Sequence, residues 1–171
     1  MTARPAATLP LIVVMGVSGS GKTTIGGMLA ARLGVPYAEA DDFHPAANIA
    51  KMAAGRPLDD LDRAPWLDTI AQWLADRGPR GGVVSCSALR RRYRDRLRAA
   101  APGLLFAHLD GAPELVAARL GARTGHFMPA GLLESQFEAL EPLEPGEAGA
   151  VVSIDGDAEL TVRQILESLA R

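Results

Sequence analysis

The chain has 171 residues, of which 48% are hydrophobic, and a formal net charge of −2. This length fits one domain with a real core, and the apolar content excludes a disordered chain. The acidic balance argues against a general nucleic-acid binder, no apolar stretch is long enough to span a membrane, and a single cysteine, Cys86, allows no internal disulfide. We expect Cys86 to be a small packing residue and not a nucleophile.

Short apolar runs alternate with helical patterns along the chain, which predicts an α/β fold: a parallel sheet with helices on both faces. We predict five strands, over Leu11–Met15, Pro36–Glu39, Gly82–Cys86, Leu104–Leu109 and Ala150–Ile154. We predict helices over Lys22–Leu33, Pro45–Ala54, Arg63–Arg77, Leu89–Ala100, Pro113–Leu120, Ala130–Leu140 and Glu159–Leu169. Ligands bind beyond the carboxyl ends of the strands in such a sheet, so the segments that follow the strands are the candidate site.

The segment after the first predicted strand is a complete phosphate-binding loop, GVSGSGKT, at residues 16–23. Its glycines allow backbone conformations that a β-carbon would forbid, so that successive N–H groups point at phosphate oxygens. In this motif Lys22 reaches the β- and γ-phosphates of a nucleotide, and the Thr23 hydroxyl binds Mg²⁺. The apolar strand before the loop and the amphipathic helix after it are the context that the motif needs.

Three carboxylates and a histidine lie within six residues at the carboxyl end of the second predicted strand. A phosphoryl-transfer enzyme needs a group that accepts or orients the proton of the acceptor hydroxyl, and carboxylates can hold Mg²⁺ through water. We assign Asp41 to the first role and Glu39 to the second. The alternative is that Asp41 or Asp42 caps the helix that starts near Pro45. His44 either bonds a substrate hydroxyl or satisfies a loop carbonyl.

Arginines and small residues complete the candidate substrate site. Arg63 begins an amphipathic helix and is held by Pro65 and Trp66, so it can bind a carboxylate through two nitrogens. The alternative is that Arg63 belongs to a solvated surface of mixed charge. Ser87 lies in a run of small residues that lets a substrate approach the backbone closely. Most of the arginines that follow it should face water, with Arg90, nearest the strand end, as the exception.

Arg119 and Arg123 are four residues apart, so they share a face of a predicted helix. Glycines and a proline then break the helical pattern, which predicts a mobile flap that carries two arginines. Such a flap stabilises negative charge on the moving phosphoryl group and excludes water that would otherwise hydrolyse ATP. The alternative is a pair of surface arginines.

Taken together, these segments resemble the P-loop gluconate kinases, relatives of shikimate kinase and the nucleoside monophosphate kinases. The matching stretches, in the order that the family has them, are MGVSGSGKTTIG, DDFHPAANIAKMAAGRPLDDLDRAPWL, VVSCSALRRRYRDRLR and RLGARTGHFMPAGLLESQFEALE. The resemblance implies a P-loop kinase fold in one domain over residues 1–171, with substrate-binding helices over about 42–77 and a small helical lid over about 119–135. It implies phosphorylation of D-gluconate at its 6-hydroxyl by ATP and Mg²⁺ in a cytoplasmic enzyme, often a homodimer.

The resemblance also assigns residues by position. It assigns Asp41 to the sugar acid, and Arg119 and Arg123 to the lid; with Lys22, these are the predicted catalytic residues. Arg90 stands where lysine is common in the family, which keeps the charge but changes its geometry. It assigns ATP binding to Gly16, Val17, Ser18, Gly19, Ser20, Gly21, Lys22, Thr23 and Thr24.

Two other functions stay open at this point. One is a related kinase with another acceptor, such as shikimate, and the other is a non-catalytic ATP-binding regulator. The acidic cluster and the arginine flap argue against the regulator, because a nucleotide switch needs no hydroxyl acceptor. The expected partner is a small-molecule substrate, with no nucleic acid and no membrane.

Overall fold

The computed structural model describes residues 7–122 and 130–171. Its five strands are β1 (Leu11–Met15), β2 (Tyr37–Glu39), β3 (Gly82–Ser85), β4 (Leu105–Asp110) and β5 (Gly149–Ser153). All of the pairings are parallel, and the strand order across the sheet is β2-β3-β1-β4-β5. The predicted parallel α/β sheet is therefore confirmed, with every strand within one residue of its predicted ends.

The described residues form seven α-helices and two short 3₁₀ turns, over Ala40–Phe43 and Gly78–Arg80. The helices are α1 (Lys22–Leu33), α2 (Ala46–Ala53), α3 (Asp60–Arg77), α4 (Arg91–Ala100), α5 (Pro113–Ala122), α6 (Ala130–Ala139) and α7 (Ala158–Leu169). Within the described residues, each helix is too short or too polar to cross a bilayer.

The central strand β1 is buried along its whole length and separates two hydrophobic clusters. Leu11, Val13 and Met15 belong to the cluster that contains side chains of α3 and α4, whereas Ile12 and Val14 belong to the one that contains side chains of α1 and α7. This alternation follows from the two-residue period of a strand. Helices cover both faces of the sheet, which leaves its strand ends as the place for a site.

The start of α3 is the largest error in the predicted helices. The helix begins at Asp60, three residues before the predicted start at Arg63, because Asp59 caps it. The Asp59 carboxylate accepts from the Asp62 backbone N–H at 2.8 Å, and the Asp62 carboxylate accepts from the Asp59 N–H at 3.0 Å. This reciprocal capping box stabilises the first turn of the helix that carries Arg63.

Candidate active site

The phosphate-binding loop joins the carboxyl end of β1 to the start of α1. Gly16, Gly19 and Gly21 have φ values of 150°, 82° and 95°. A Cβ at Gly16 would lie 3.0 Å from the Leu109 carbonyl oxygen, and one at Gly19 would lie 2.5 Å from the Leu120 side chain. Both the conformation and the space therefore require glycine in this loop.

The amino terminus of α1 has no side-chain cap. Its N-cap residue is Gly21, so no side chain satisfies the first N–H groups of the helix. Uncapped N–H groups at the positive end of a helix form an anion site. The Lys22 ammonium lies across the loop, where it donates to the Val17 carbonyl at 3.0 Å, and Ser20 Oγ donates to the same carbonyl at 2.7 Å. Thr23 and Thr24 are exposed on the first turn.

A chain of hydrogen bonds ties the Thr23 hydroxyl to the end of β2. Thr23 Oγ1 donates to Glu39 Oε2 at 2.8 Å, and the Tyr37 hydroxyl lies 2.7 Å from the same oxygen and 2.9 Å from Ser85 Oγ. Ser85 Oγ in turn donates to the Lys22 carbonyl at 2.7 Å. Burial raises the pKa of Tyr37 to about 12, so its hydroxyl keeps its proton at neutral pH.

The donor set around Thr23 suits Mg²⁺. The Thr23 hydroxyl and the Glu39 carboxylate supply oxygen ligands, which hard cations prefer. Mg²⁺ usually keeps several waters and binds through one or two protein groups plus phosphate oxygens. A set of three His, Cys, Asp or Glu side chains that could hold a metal alone does not occur in the described part of the chain, and this kind of magnesium site does not require one.

Asp41 lies in the turn after β2, where it is exposed. The alternative of helix capping is wrong for Asp41 and Asp42, because Pro45 is the N-cap residue of α2 and no side chain caps that helix. The charges of Lys22, Asp41 and Glu39 all act on the Cys86 thiol, which follows β3. The phosphate-loop lysine and both candidate carboxylates are thus gathered around the same strand end.

Cys86 itself is 2% exposed, and burial raises its pKa to about 12. A thiol with such a pKa stays protonated at neutral pH, which makes it a poor nucleophile. This agrees with the predicted packing role.

His44 stacks on an aromatic ring instead of meeting a loop carbonyl. Its ring is 4.4 Å from that of Trp66, with 9° between the planes, and Trp66 Nε1 donates to the Ala40 carbonyl at 2.7 Å. The Nδ1 atom of His44 lies 3.3 Å from Asn48 Nδ2. Burial lowers the pKa of His44, so the neutral ring is favoured.

A cavity of about 260 Å³ lies beyond the end of β3 and contains three of the predicted substrate residues, Arg63, Ser87 and Arg90. The Ser87 carbonyl accepts from the Gly16 N–H at 3.3 Å, so this cavity adjoins the phosphate loop. Arg63 Nη1 donates to the Tyr93 hydroxyl at 3.1 Å. The cavity is lined by Leu58, Asp60, Arg63, Trp66, Ser87, Leu89, Arg90, Arg92, Tyr93 and Ala139.

Arg63 and Arg90 differ from the neighbouring arginines because they form no ion pair with a described residue. Neither has an acidic partner within residues 7–122 and 130–171, whereas every arginine inside α4 has one. Those partnered arginines are Arg91, Arg92, Arg94, Arg96 and Arg98. An unpaired guanidinium at the wall of a cavity can bind the carboxylate of a ligand through two nitrogens.

Arg94 differs from the expectation that the arginines of this helix mostly face water. Its side chain is fully buried and binds Glu147 through Nε at 2.8 Å and Nη2 at 3.0 Å. Its Nη1 also donates to the Ala88 carbonyl at 2.9 Å, and Ala88 has a φ of 44° in the left-handed region. This buried pair therefore holds the strained turn between Ser87 and Arg90.

The predicted flap residues are described only in part. Arg119 Nη2 donates to the carbonyls of Ile154 at 2.5 Å and Gly156 at 3.4 Å, beyond the end of β5. Arg123 lies outside the described residues. Sequence reasoning missed Gln136 of α6, which accepts from the Ser18 N–H at 2.7 Å and donates to Ser18 Oγ at 3.1 Å. The only sequence signal for it was its place in the segment GHFMPAGLLESQ.

A larger cavity, of about 620 Å³, lies at the opposite edge of the sheet. Its lining is almost entirely apolar and includes Leu11 and Leu105, at the amino ends of β1 and β4. We place the site in the smaller cavity, because only that one combines unpaired arginines with the phosphate loop.

Comparisons with known proteins show which proteins this chain resembles. The family described as shikimate kinase matches residues 18–166. A gluconokinase of Gluconobacter oxydans is 46% identical over 94% of this chain and 89% of that protein. The thermosensitive gluconokinase of Escherichia coli is 48% identical over 84% of this chain and 77% of that protein. The crystal structure of a gluconokinase from Sinorhizobium meliloti matches with a TM-score of 0.89 and 47% identity, over 96% of this chain and 94% of that one.

Proposed function

This chain belongs to the gluconokinases within the shikimate kinase family, and we propose that it transfers the γ-phosphoryl group of ATP to the 6-hydroxyl of D-gluconate. The products would be 6-phosphogluconate and ADP. The observation that carries the proposal is the cavity beside the phosphate loop, where Arg63 and Arg90 lack an acidic partner among the described residues.

In this proposal the two arginines hold the carboxylate of the sugar acid. Arg63 is oriented by its bond to the Tyr93 hydroxyl, and it begins the second turn of a capped helix. A cavity of about 260 Å³ is smaller than the ~300–1,000 Å³ of sites for drug-sized ligands, which suits a small acid. The other end of the substrate then points its terminal hydroxyl towards Asp41 and the phosphate loop.

The residues of the chain divide the chemistry between them. Asp41 accepts the hydroxyl proton as the O6–phosphorus bond forms and the bond from phosphorus to the bridging β–γ oxygen breaks. Lys22 and the N–H groups of the loop stabilise the charge on the phosphates. Thr23 and Glu39, the latter through water, would hold Mg²⁺, which would neutralise negative charge on the nucleotide.

Arg119 and Arg123 are proposed to act in a lid. In the present conformation Arg119 is bound to the carbonyls of Ile154 and Gly156, which ties α5 to the segment after β5. A role for Arg119 on the transferred phosphoryl group therefore requires that its guanidinium leave these carbonyls. The cytoplasmic location and the homodimer stay predictions, and light scattering with size-exclusion chromatography tests the second.

The function is tested by measuring ADP release from purified protein with Mg-ATP and gluconate. We expect ADP release that depends on gluconate, and formation of 6-phosphogluconate, which a coupled assay with 6-phosphogluconate dehydrogenase detects. Shikimate is the matched competing acceptor, because the family match bears its name. Equal ADP release with and without gluconate, or turnover with shikimate alone, would refute the proposal. ATP binding with no turnover on a panel of sugar acids would favour the regulator.

A further inference from the structure

The orientation of one buried amide, that of Asn48, follows from its neighbours. Asn48 in α2 is 4% exposed, and its Nδ2 lies 2.8 Å from the Asp62 carbonyl oxygen and 3.3 Å from His44 Nδ1. A backbone carbonyl oxygen only accepts hydrogen bonds. The Asn48 atom beside it must therefore be the amide nitrogen and not the amide oxygen.

This orientation determines which nitrogen of His44 carries the proton. An amide nitrogen donates hydrogen bonds and does not accept them, so His44 Nδ1 must be the acceptor. A ring with an unprotonated Nδ1 is neutral and has its hydrogen on Nε2. Burial is the largest cause that lowers the pKa of His44. Two charges act on it in opposite directions, since Asp41 raises the pKa and Arg63 lowers it.

The remaining nitrogen of His44 is available to a ligand. Nε2 has no hydrogen-bond partner among the described residues. It is also not a buried atom, because the buried side-chain atoms that lack a partner do not include it. The stack on Trp66 holds the plane of the ring, and the Trp66 indole is itself fixed to the Ala40 carbonyl. His44 is three residues after Asp41, and the backbone N–H of His44 donates to the backbone carbonyl of Asp41 at 3.4 Å.

We propose that Asn48 is a positioning residue that keeps His44 neutral, so that His44 Nε2–H donates a hydrogen bond to a hydroxyl oxygen of the sugar acid. This inference rests on the proposed function. It separates two roles: His44 donates to the substrate, and the Asp41 carboxylate stays free to accept a proton. A protonated ring would instead attract the Asp41 carboxylate and weaken it as a base.

The tautomer is measured directly, without turnover, by ¹⁵N NMR of the histidine rings in the full-length protein at pH 7.5. The His44 signals are assigned by their loss in His44→Gln. We expect a neutral ring with hydrogen on Nε2. In Asn48→Asp a carboxylate oxygen replaces the amide nitrogen, so we expect hydrogen on Nδ1. A wild-type ring that is protonated, or that has its hydrogen on Nδ1, would overturn the inference even if no Asn48 variant folds.

Two isosteric substitutions test the role of the donor. In His44→Gln the side-chain amide nitrogen can occupy the place of Nε2, whereas in His44→Asn it can reach only the place of Nδ1. We expect both substitutions to raise the KM for gluconate. The KM of His44→Asn should be at least threefold higher than that of His44→Gln, because the loss of one neutral hydrogen bond changes a binding constant by roughly three- to tenfold. The KM for ATP is the internal control and should change in neither.

Equal gluconate KM values for His44→Gln and His44→Asn would overturn the donor role. The two proposals fail separately. A wild-type protein that does not phosphorylate gluconate refutes the proposed function. An active wild type with hydrogen on Nδ1 refutes both the role of Asn48 and the Nε2–H donor, and leaves the proposed function standing.

Discussion

Replacement of Glu147 by glutamine tests the buried ion pair behind the candidate site. Glu147 has no exposed side-chain surface and binds Arg94, with further contacts to Arg98 and the Glu144 N–H. Although burial alone would raise it, these bonds lower the pKa of Glu147 from 4.5 to about 2. The difference corresponds to about 3 kcal/mol of folding free energy at pH 7.

The sign and the pH range follow from the lowered pKa. A carboxylate whose folded pKa is depressed stabilises the protein above its unfolded pKa of 4.5, and this contribution is lost as the pH falls through about 2. Glutamine imitates the protonated acid at every pH. We therefore expect Glu147→Gln to lower the free energy of unfolding by about 3 kcal/mol at pH 7 and by about 1 kcal/mol at pH 3.

Urea unfolding followed by circular dichroism at the two pH values measures this difference. Asp68→Asn is the matched control, because Asp68 pairs with Arg96 on an exposed surface and should cost at most about 1 kcal/mol at either pH. A Glu147→Gln cost below about 0.5 kcal/mol at pH 7, or one that stays the same at pH 3, would refute the reasoning. Because Arg94 also holds the Ala88 carbonyl, surviving folded enzyme should show a raised KM for gluconate.

Three further predictions concern single side chains. Arg63→Ala should raise the KM for gluconate by roughly ten- to a hundredfold, as the loss of a charged hydrogen bond implies, and leave the KM for ATP unchanged. Arg96→Ala is the control, and an unchanged gluconate KM in Arg63→Ala would show that Arg63 does not bind the substrate. Asp41→Asn should lower kcat by about 10²–10⁴ with Asp42→Asn much closer to wild type, and equal kcat values for the two would contradict the assigned proton acceptor. Cys86, with a pKa of about 12, should not react with a thiol reagent at pH 8 until urea unfolds the protein, and rapid labelling of the native protein would show that the burial is wrong.

The parts of the fold and site that the sequence predicted are those set by local pattern. The strand Leu11–Met15 is apolar at every position and lies in the middle of the sheet, and the glycines of the phosphate loop are needed for their own conformations. Helix α1 was predicted to the residue, because an apolar stripe and Gly34, which ends it in a left-handed conformation, are both local signals.

The parts that were missed depend on contacts between distant residues. Arg94 lies beside the apolar stripe of α4, and its burial depends on Glu147, which is 53 residues away. Gln136 reaches Ser18 across 118 residues, and Asn48 is held by a carbonyl of another helix. The sequence pattern did not predict the cap formed by Asp59 and Asp62 at the start of α3. Such partners become visible only when the sheet has brought the elements together.

The polar side chains of the site are arranged in two layers with different expected responses to mutation. Tyr37 and Ser85 support Glu39 and the Lys22 backbone, Asn48 supports His44, and Arg94 supports the turn that carries Ser87 and Arg90. The supporting groups are largely buried and lie one contact away from the cavity and the loop, so losing one leaves a polar partner unsatisfied and reduces both stability and activity. The groups that would touch substrate are more exposed and have fewer protein partners, so their removal should reduce activity with little change in stability. The separation follows from the chemistry, because a hydrogen-bonding atom that is fully used inside the protein is not available to a substrate at the same time.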